Sequence, residues 1–218
     1  MEKVEVKFGE WFENGFTLYK KNFVVLVLAS LIALLVSAAT LGILAGPMIA
    51  GMLLITLRLH DGEDPKPEVG TLFKGFDYFL NSLLFVVVWG AAVLAASFLL
   101  ALVPCIGQLA ALFVIYAAQT ALMFGMFLIV DLGMDFWSAS QRSYRVVKTN
   151  FWIFLGFAVV AGIIGSIGGI ACGIGVAVTA PIQACAFTVA YRDVFSNTRP
   201  EPVVGNEINE SVPADSEG

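Results

Sequence analysis

Charged side chains are missing from three long stretches of this sequence. No Asp, Glu, Lys or Arg occurs between Lys21 and Arg58, between Asp77 and Asp131, or between Lys148 and Arg192. Over the whole chain, 13% of the 218 residues are charged and 59% are hydrophobic. A soluble domain is about a quarter charged. The composition therefore excludes an ordinary soluble domain and indicates a membrane protein.

Each uncharged stretch is long enough for two membrane crossings, since one crossing needs about 20 apolar residues. A turn signal lies inside each stretch: TLGILAGP, VPCIG and the glycine cluster near residue 173. We predict an all-α, polytopic membrane protein with six transmembrane helices arranged as three hairpins. In the first stretch, one long tilted helix with a re-entrant piece is the alternative. The predicted spans are approximately residues 22–40, 43–59, 80–103, 107–130, 150–171 and 174–191.

Groups that carry catalysis or bind metals are scarce. His60 is the single histidine and lies in an acidic loop segment, and the three cysteines lack metal-site spacing. Cys105 and Cys172 fall at predicted hairpin turns, where a disulfide is the alternative to plain packing. We predict no enzyme activity, no cofactor, and no catalytic, cofactor-binding or metal-binding residue. The lack of ionisable groups inside the spans also argues against a proton-coupled carrier.

The basic residues predict the orientation of the chain. All twelve Lys and Arg lie outside the uncharged stretches, on segments that six crossings place on one face. By the positive-inside rule, we expect both termini to be cytoplasmic. The expected location is a bacterial inner (plasma) membrane. We expect one membrane domain over residues 1–195 and a disordered, acidic cytoplasmic tail over residues 196–218.

The three hairpins look like repeats, because each follows an amphipathic segment that ends in an Asn: GFTLYKKN, GFDYFLN and SYRVVKTN. We predict interfacial helices over residues 5–20 and 136–149. Their aromatic and basic side chains suit the headgroup region, so the expected partners are the anionic lipid headgroups of the cytoplasmic face. We expect no binding of nucleic acid. The predicted lipid-interface residues are Trp11, Trp137, Arg142, Arg145 and Lys148.

The glycine-rich segment AGIIGSIGGIACGIG does not match a nucleotide-binding loop, because no Lys and no strand pattern accompany it. Ala161, Gly165, Gly169 and Gly173 instead form a stripe of small residues at helical spacing, which predicts a helix-packing face. Its partner is a helix of the same chain, or alternatively a second copy in a homo-oligomer. Pro47 and Pro181 are predicted helix kinks, although Pro47 also suits the first turn of a helix.

The segments SASQRSYRVVKTNFWIFLGF and APIQACAFTVAYRDVF resemble bacterial multi-pass integral membrane proteins of uncharacterised function. That family is related to the membrane domain of glycerophosphodiester phosphodiesterases. The resemblance implies the membrane architecture and no phosphodiesterase activity. It rests on Ser143, Tyr144, Asn150, Phe151 and Trp152, together with Tyr191, Arg192 and Asp193.

From these features we expect a non-catalytic protein that organises lipids or partner proteins at the inner membrane. The alternative is a carrier or pore for a small neutral or apolar solute, built around the helices that contain Pro47 and Pro181. An intramembrane lipid enzyme ranks last, because the sequence offers no cluster of acids, bases or metal ligands.

The predicted orientation is testable by labelling. In a variant without native cysteines, Lys66→Cys and Arg142→Cys should resist a membrane-impermeant thiol reagent in intact cells and react after permeabilisation. Reaction of either cysteine in intact cells would show that the orientation is wrong.

Overall fold

The structure, a computed structural model, describes residues 7–103, 106–170 and 174–195. Within these residues the chain is all-helical and forms no strand. A 3-10 helix spans Val69–Tyr78. The α-helices are α1 (Phe8–Lys21), α2 (Phe23–Ala39), α3 (Ala45–Asp61), α4 (Phe79–Ala101), α5 (Ile106–Leu122), α6 (Gly125–Leu132), α7 (Phe136–Thr149), α8 (Phe151–Ile170) and α9 (Ile174–Phe195).

Two continuous helical segments, Val69–Ala101 and Ile106–Leu132, are long and apolar enough to cross a membrane. Up to four segments qualify if each of two bent helix pairs is counted as one span. The all-α prediction is therefore confirmed for the described residues. The prediction of apolar helices long enough to cross a membrane is confirmed as well. The number of six crossings stays a prediction, because the described residues contain two such segments, or up to four with the bent pairs.

Two helix pairs bend sharply where the sequence places an Asn. The axes of α1 and α2 differ by 90° on either side of Asn22, and those of α7 and α8 differ by 108° on either side of Asn150. In each case the Asn backbone N–H donates to a carbonyl three residues earlier, on Tyr19 or Val147. Asn81 differs, because it lies inside the first turn of α4.

The helices form three units of similar order, each with an amphipathic segment followed by two apolar segments, where α5 and α6 together count as one segment. Unit 1 is α1 to α3, unit 2 runs from the 3-10 helix to α6, and unit 3 is α7 to α9. The amphipathic segment of each unit packs on the last helices of the preceding unit: α1 on α9, the 3-10 helix on α3, and α7 on α5 and α6. The next helices follow the same order, with α2 on α9, α4 on α3 and α8 on α5. The units thus form a closed ring.

Small residues stand at the three contacts between an amphipathic segment and the preceding unit. A Cβ on Gly15 would lie 2.7 Å from the Ala186 Cα, and one on Gly75 would overlap the backbone of α3 at Pro47. At the third contact the Ser143 hydroxyl donates to the Ala121 carbonyl at 2.8 Å and accepts from the Phe124 N–H. These three residues are the first letters of the repeated sequence segments, so the repeat is also a repeat of packing.

The contact between α8 and α9 uses part of the predicted small-residue stripe. Ala161 is fully buried, and the Thr179 hydroxyl donates to the Gly165 carbonyl at 2.8 Å. A Cβ on Gly165 would lie 2.5 Å from the Gln183 Oε1. The contact is therefore within one chain at these positions. The side of α8 that Gly169 faces is not described, and Gly173 lies outside the described residues.

The two prolines have different surroundings. Pro47 is the third residue of α3, where the backbone N–H that proline lacks would have no partner within the helix. Pro47 therefore sits in the first turn, which the sequence left as the alternative to a kink. Pro181 lies inside α9 as its eighth residue.

We predict that Gly15→Ala destabilises the protein by about 1–3 kcal/mol, because the added methyl group separates α1 from α9. Gly9→Ala is the matched control in the same helix, since nothing lies within 4 Å of a Cβ at Gly9. That control should be neutral or slightly stabilising. Thermal unfolding in detergent measures both, and an equal response of the two variants would contradict the close contact.

Candidate functional site

The C-terminal ends of α3, α6 and α9 meet in an ion-pair cluster. The Arg192 guanidinium donates through Nη1 to the Asp131 Oδ2 at 2.7 Å and through Nη2 to the Asp61 Oδ2 at 2.6 Å. The Tyr191 hydroxyl donates to the same Asp131 oxygen at 2.9 Å. All three units therefore contribute to this cluster, with Asp61 from unit 1, Asp131 from unit 2, and Tyr191 and Arg192 from unit 3.

Helix geometry explains why the cluster needs a cation. Asp61 is the last residue of α3 and Asp131 lies in the last turn of α6, and each helix is followed by a glycine in the left-handed conformation. A carboxylate at a helix C-terminus faces the negative end of the helix dipole, which is unfavourable. Arg192 offsets this at both ends at once. Its side chain and that of Asp131 are each 12% exposed, so solvent screens their attraction only weakly.

The cluster continues into α1 through the residue after Arg192. The Trp11 indole N–H donates to the Asp193 Oδ2 at 2.9 Å, and the Trp11 ring packs against Phe154 and Phe157 of α8. Trp11 is 1% exposed. The lipid-interface role predicted for Trp11 stays a prediction, and in this structure its ring is covered by protein.

The cluster is built to hold helices together. Both carboxylates already accept from the guanidinium, and Phe127 stacks on the Tyr191 ring at 5.0 Å between centroids. In the described part of the chain, no three His, Cys, Asp or Glu side chains come together as metal ligands. The His60 Nδ1 lies 3.5 Å from the Asp61 Oδ1 at the edge of the cluster. Cys185 is buried, whereas Cys105 and Cys172 lie outside the described residues.

A second region of interest is the outward face of α7. The helix begins after Asp135, whose carboxylate accepts from the Trp137 and Ser138 backbone N–H groups at 3.1 and 3.0 Å. The hydrogen bond from the Ser138 N–H is the largest cause that lowers the pKa of Asp135. This cap is therefore complete above the pKa of an unfolded aspartate, and it is lost as the pH falls through the lowered pKa.

The structure separates the three basic residues that the sequence grouped on α7. The Arg145 Nε donates to the Gln141 carbonyl at 3.4 Å, and the Lys148 Nζ lies 6.0 Å from the centre of the Tyr144 ring. Arg142 points elsewhere, with its guanidinium 5.7 Å from the Phe195 ring. Arg145 and Lys148 therefore lie with the exposed Trp137 and Tyr144, while Arg142 lies over the end of α9.

One apolar cavity lies against this face of α7, and a second cavity adjoins it. The first cavity, about 240 Å³, is bounded by α4, α5 and α7. The second cavity, about 400 Å³ and the more open of the two, is bounded mainly by α3, α4 and α5, with side chains of α6 and α9. Trp89, Ala118 and Leu122 line both cavities, which therefore adjoin. The Trp89 indole N–H donates to the Ser140 hydroxyl at 2.8 Å, which fixes α4 to α7 at the shared wall.

Sequence reasoning missed the Arg192 cluster and both cavities. A signal for the cluster was available, because Asp131 and Arg192 are the first charged residues after the second and third uncharged stretches and Asp61 lies just beyond the first. Helices that end at similar places in three repeats bring such residues to one end of a ring. The cavities carried no comparable signal, since their walls are ordinary apolar residues.

Comparison with protein-family models, with curated proteins and with solved structures finds no match to this chain. The relation to the membrane domain of glycerophosphodiester phosphodiesterases therefore stays a prediction.

We predict that Arg192→Met destabilises the protein by about 3–5 kcal/mol, because Asp61 and Asp131 then lose the cation between them. Arg58→Met is the matched control. Arg58 pairs with Glu63 alone, at 3.5 Å, and both side chains are partly exposed, so this change should cost about 1 kcal/mol or less. Unfolding in detergent measures the difference. A partial rescue of Arg192→Met by Asp61→Asn with Asp131→Asn is also expected, and equal losses at Arg192 and Arg58 would contradict the role of the cluster.

Proposed function

We propose that this chain is a non-catalytic, six-span protein of a bacterial inner membrane that organises anionic lipids at the cytoplasmic face. The observation that carries the proposal is the outward face of α7. It presents Trp137, Tyr144, Arg145 and Lys148 on a helix that bends by 108° from the apolar helix α8. An amphipathic helix that turns away from an apolar span is suited to the interface, with its rings at headgroup depth and its cations near lipid phosphates.

The charge of α7 favours lipids over protein as the first partner. The helix contains three cations and no Asp or Glu, and Asp135 at its start is used as the cap. In the described part of the chain, neither Arg145 nor Lys148 forms an ion pair with a carboxylate. Each such cation near an anionic membrane surface contributes about 1 kcal/mol of attraction. Lipid headgroups are the partners that a membrane supplies everywhere along this face.

The ring of three units supports the topology of this proposal. Because Arg192 contacts both Asp61 and Asp131, the C-terminal ends of α3, α6 and α9 lie on the same side. Three hairpins that run in the same direction have this property. With the basic residues concentrated on that side, the positive-inside rule favours a cytoplasmic location for it.

The lipids that co-purify with the protein in a mild detergent test the proposal. Replacing Arg142, Arg145 and Lys148 by Gln should lower the ratio of anionic to zwitterionic lipid several-fold, because the attraction of each cation is lost. The matched control replaces Lys7, Lys66 and Lys74 by Gln, which removes the same charge outside α7. An unchanged lipid ratio in the α7 variant would overturn the proposal and favour a protein partner for this helix.

A further inference from the structure

We propose that the cavities beneath α7 form a binding site for one anionic glycerophospholipid, with an acyl chain inside and the phosphate at Arg145 and Lys148. This inference rests on the proposed function and assigns it to one place on the molecule. Such a lipid has an apolar tail and an anionic head. The cavity walls match the tail, and the basic residues at the mouth match the head.

The walls suit an acyl chain. The first cavity is lined by Trp89, Ala118, Ala121, Leu122 and Trp137, with only a few polar atoms from α7 at its edge. The small side chains of Ala118 and Ala121 leave the space between α5 and α7 open. The second, more open cavity continues from the shared residues toward Phe85 and Phe127, and its 400 Å³ lies within the range of pockets that bind small molecules. A chain that enters beneath α7 can therefore continue along α5 past Trp89.

The mouth suits a phosphate. Gln141 and Tyr144 line the first cavity, and a cation lies beside each of them. The Arg145 Nε donates to the Gln141 carbonyl, and the Lys148 Nζ lies 6.0 Å from the centre of the Tyr144 ring. Two cations therefore flank two residues of the cavity wall. Guanidinium and ammonium groups are the usual partners of phosphate oxygens.

Charge complementarity decides in favour of an anionic lipid over a neutral apolar solute. A neutral solute would use the cavity walls and leave the cations at the mouth without a role. A zwitterionic lipid would bring its own cation beside Arg145 and Lys148, which weakens the attraction. Only an anionic phospholipid satisfies the apolar interior and the basic mouth together.

Tryptophan fluorescence tests the site directly, because bromine atoms on an acyl chain quench an indole that they contact. The reporter protein carries Trp137→Phe, which keeps an aromatic ring in the cavity wall, and Trp152→Phe. The buried Trp11 and the cavity residue Trp89 remain as emitters. It is placed in phosphatidylcholine vesicles that contain increasing fractions of brominated phosphatidylglycerol or of brominated phosphatidylcholine. We expect half-maximal quenching at a roughly tenfold lower fraction of the anionic lipid, since two cations act on its phosphate.

Three matched proteins complete the experiment. Arg145→Gln with Lys148→Gln should remove the preference at Trp89, whereas Arg142→Gln should keep it, because Arg142 points toward Phe195. A second reporter that keeps Trp11 and Trp152 instead of Trp89 should show no preference, since Trp152 is 73% exposed on the lipid-facing surface. Ala118→Leu fills the shared wall without changing charge and should reduce quenching at Trp89 by the anionic lipid.

Each outcome decides between the site and the broader function. Equal quenching by the two lipids at Trp89 would overturn the site, as would loss of the preference in Arg142→Gln to the same extent as in the double variant. If the anionic lipids still co-purified in an α7-dependent manner, the proposed function would stand while the site failed. Monodisperse elution on a sizing column shows that each variant is folded before it is compared.

Discussion

One arginine side chain between two carboxylates determines how the helices meet. Arg192 reaches Asp61 and Asp131, and each of the three residues lies in the last turn of the last helix of a different unit. In lipid, contact between apolar surfaces does not favour one neighbouring helix over another. A charge at low exposure does favour particular neighbours, because contact between Arg192 and both carboxylates neutralises it. The cluster thus specifies which helix ends come together.

Small residues then set the distance between the units that the cluster brings together. Gly15 meets α9 and Gly75 meets α3 at backbone contact, and Ser143 replaces glycine at the third contact with two hydrogen bonds to the break between α5 and α6. The presence of serine at this contact has a physical reason. The break frees the Phe124 N–H and the Ala121 carbonyl from regular helix bonding, so a hydroxyl that both donates and accepts is needed there. The third contact is polar where the other two are close-packed.

The sequence predicts the helical architecture and the amphipathic segments well, because both depend on local periodicity and on the distribution of charge. It predicts the Asn22 and Asn150 bends as boundaries, since the hydrophobic pattern changes there. It does not predict that Trp11 is covered by α8 and α9, because a stripe of aromatic residues looks the same whether lipid or protein lies against it. Nor does it predict the cavity beneath Trp137, which exists because Ala118 and Ala121 are small where three helices meet.

The ring order has a consequence for biosynthesis. Within the described residues, α1 is translated before the other helices, and α9, on which it packs, is translated after them. Until Ala186 and Asp193 are made, Gly15 lacks its close contact and Trp11 lacks its hydrogen bond, whereas the 3-10 helix and α7 find the preceding unit already in place. Assembly in the order of translation therefore completes the joint between α1 and α9 after the other two.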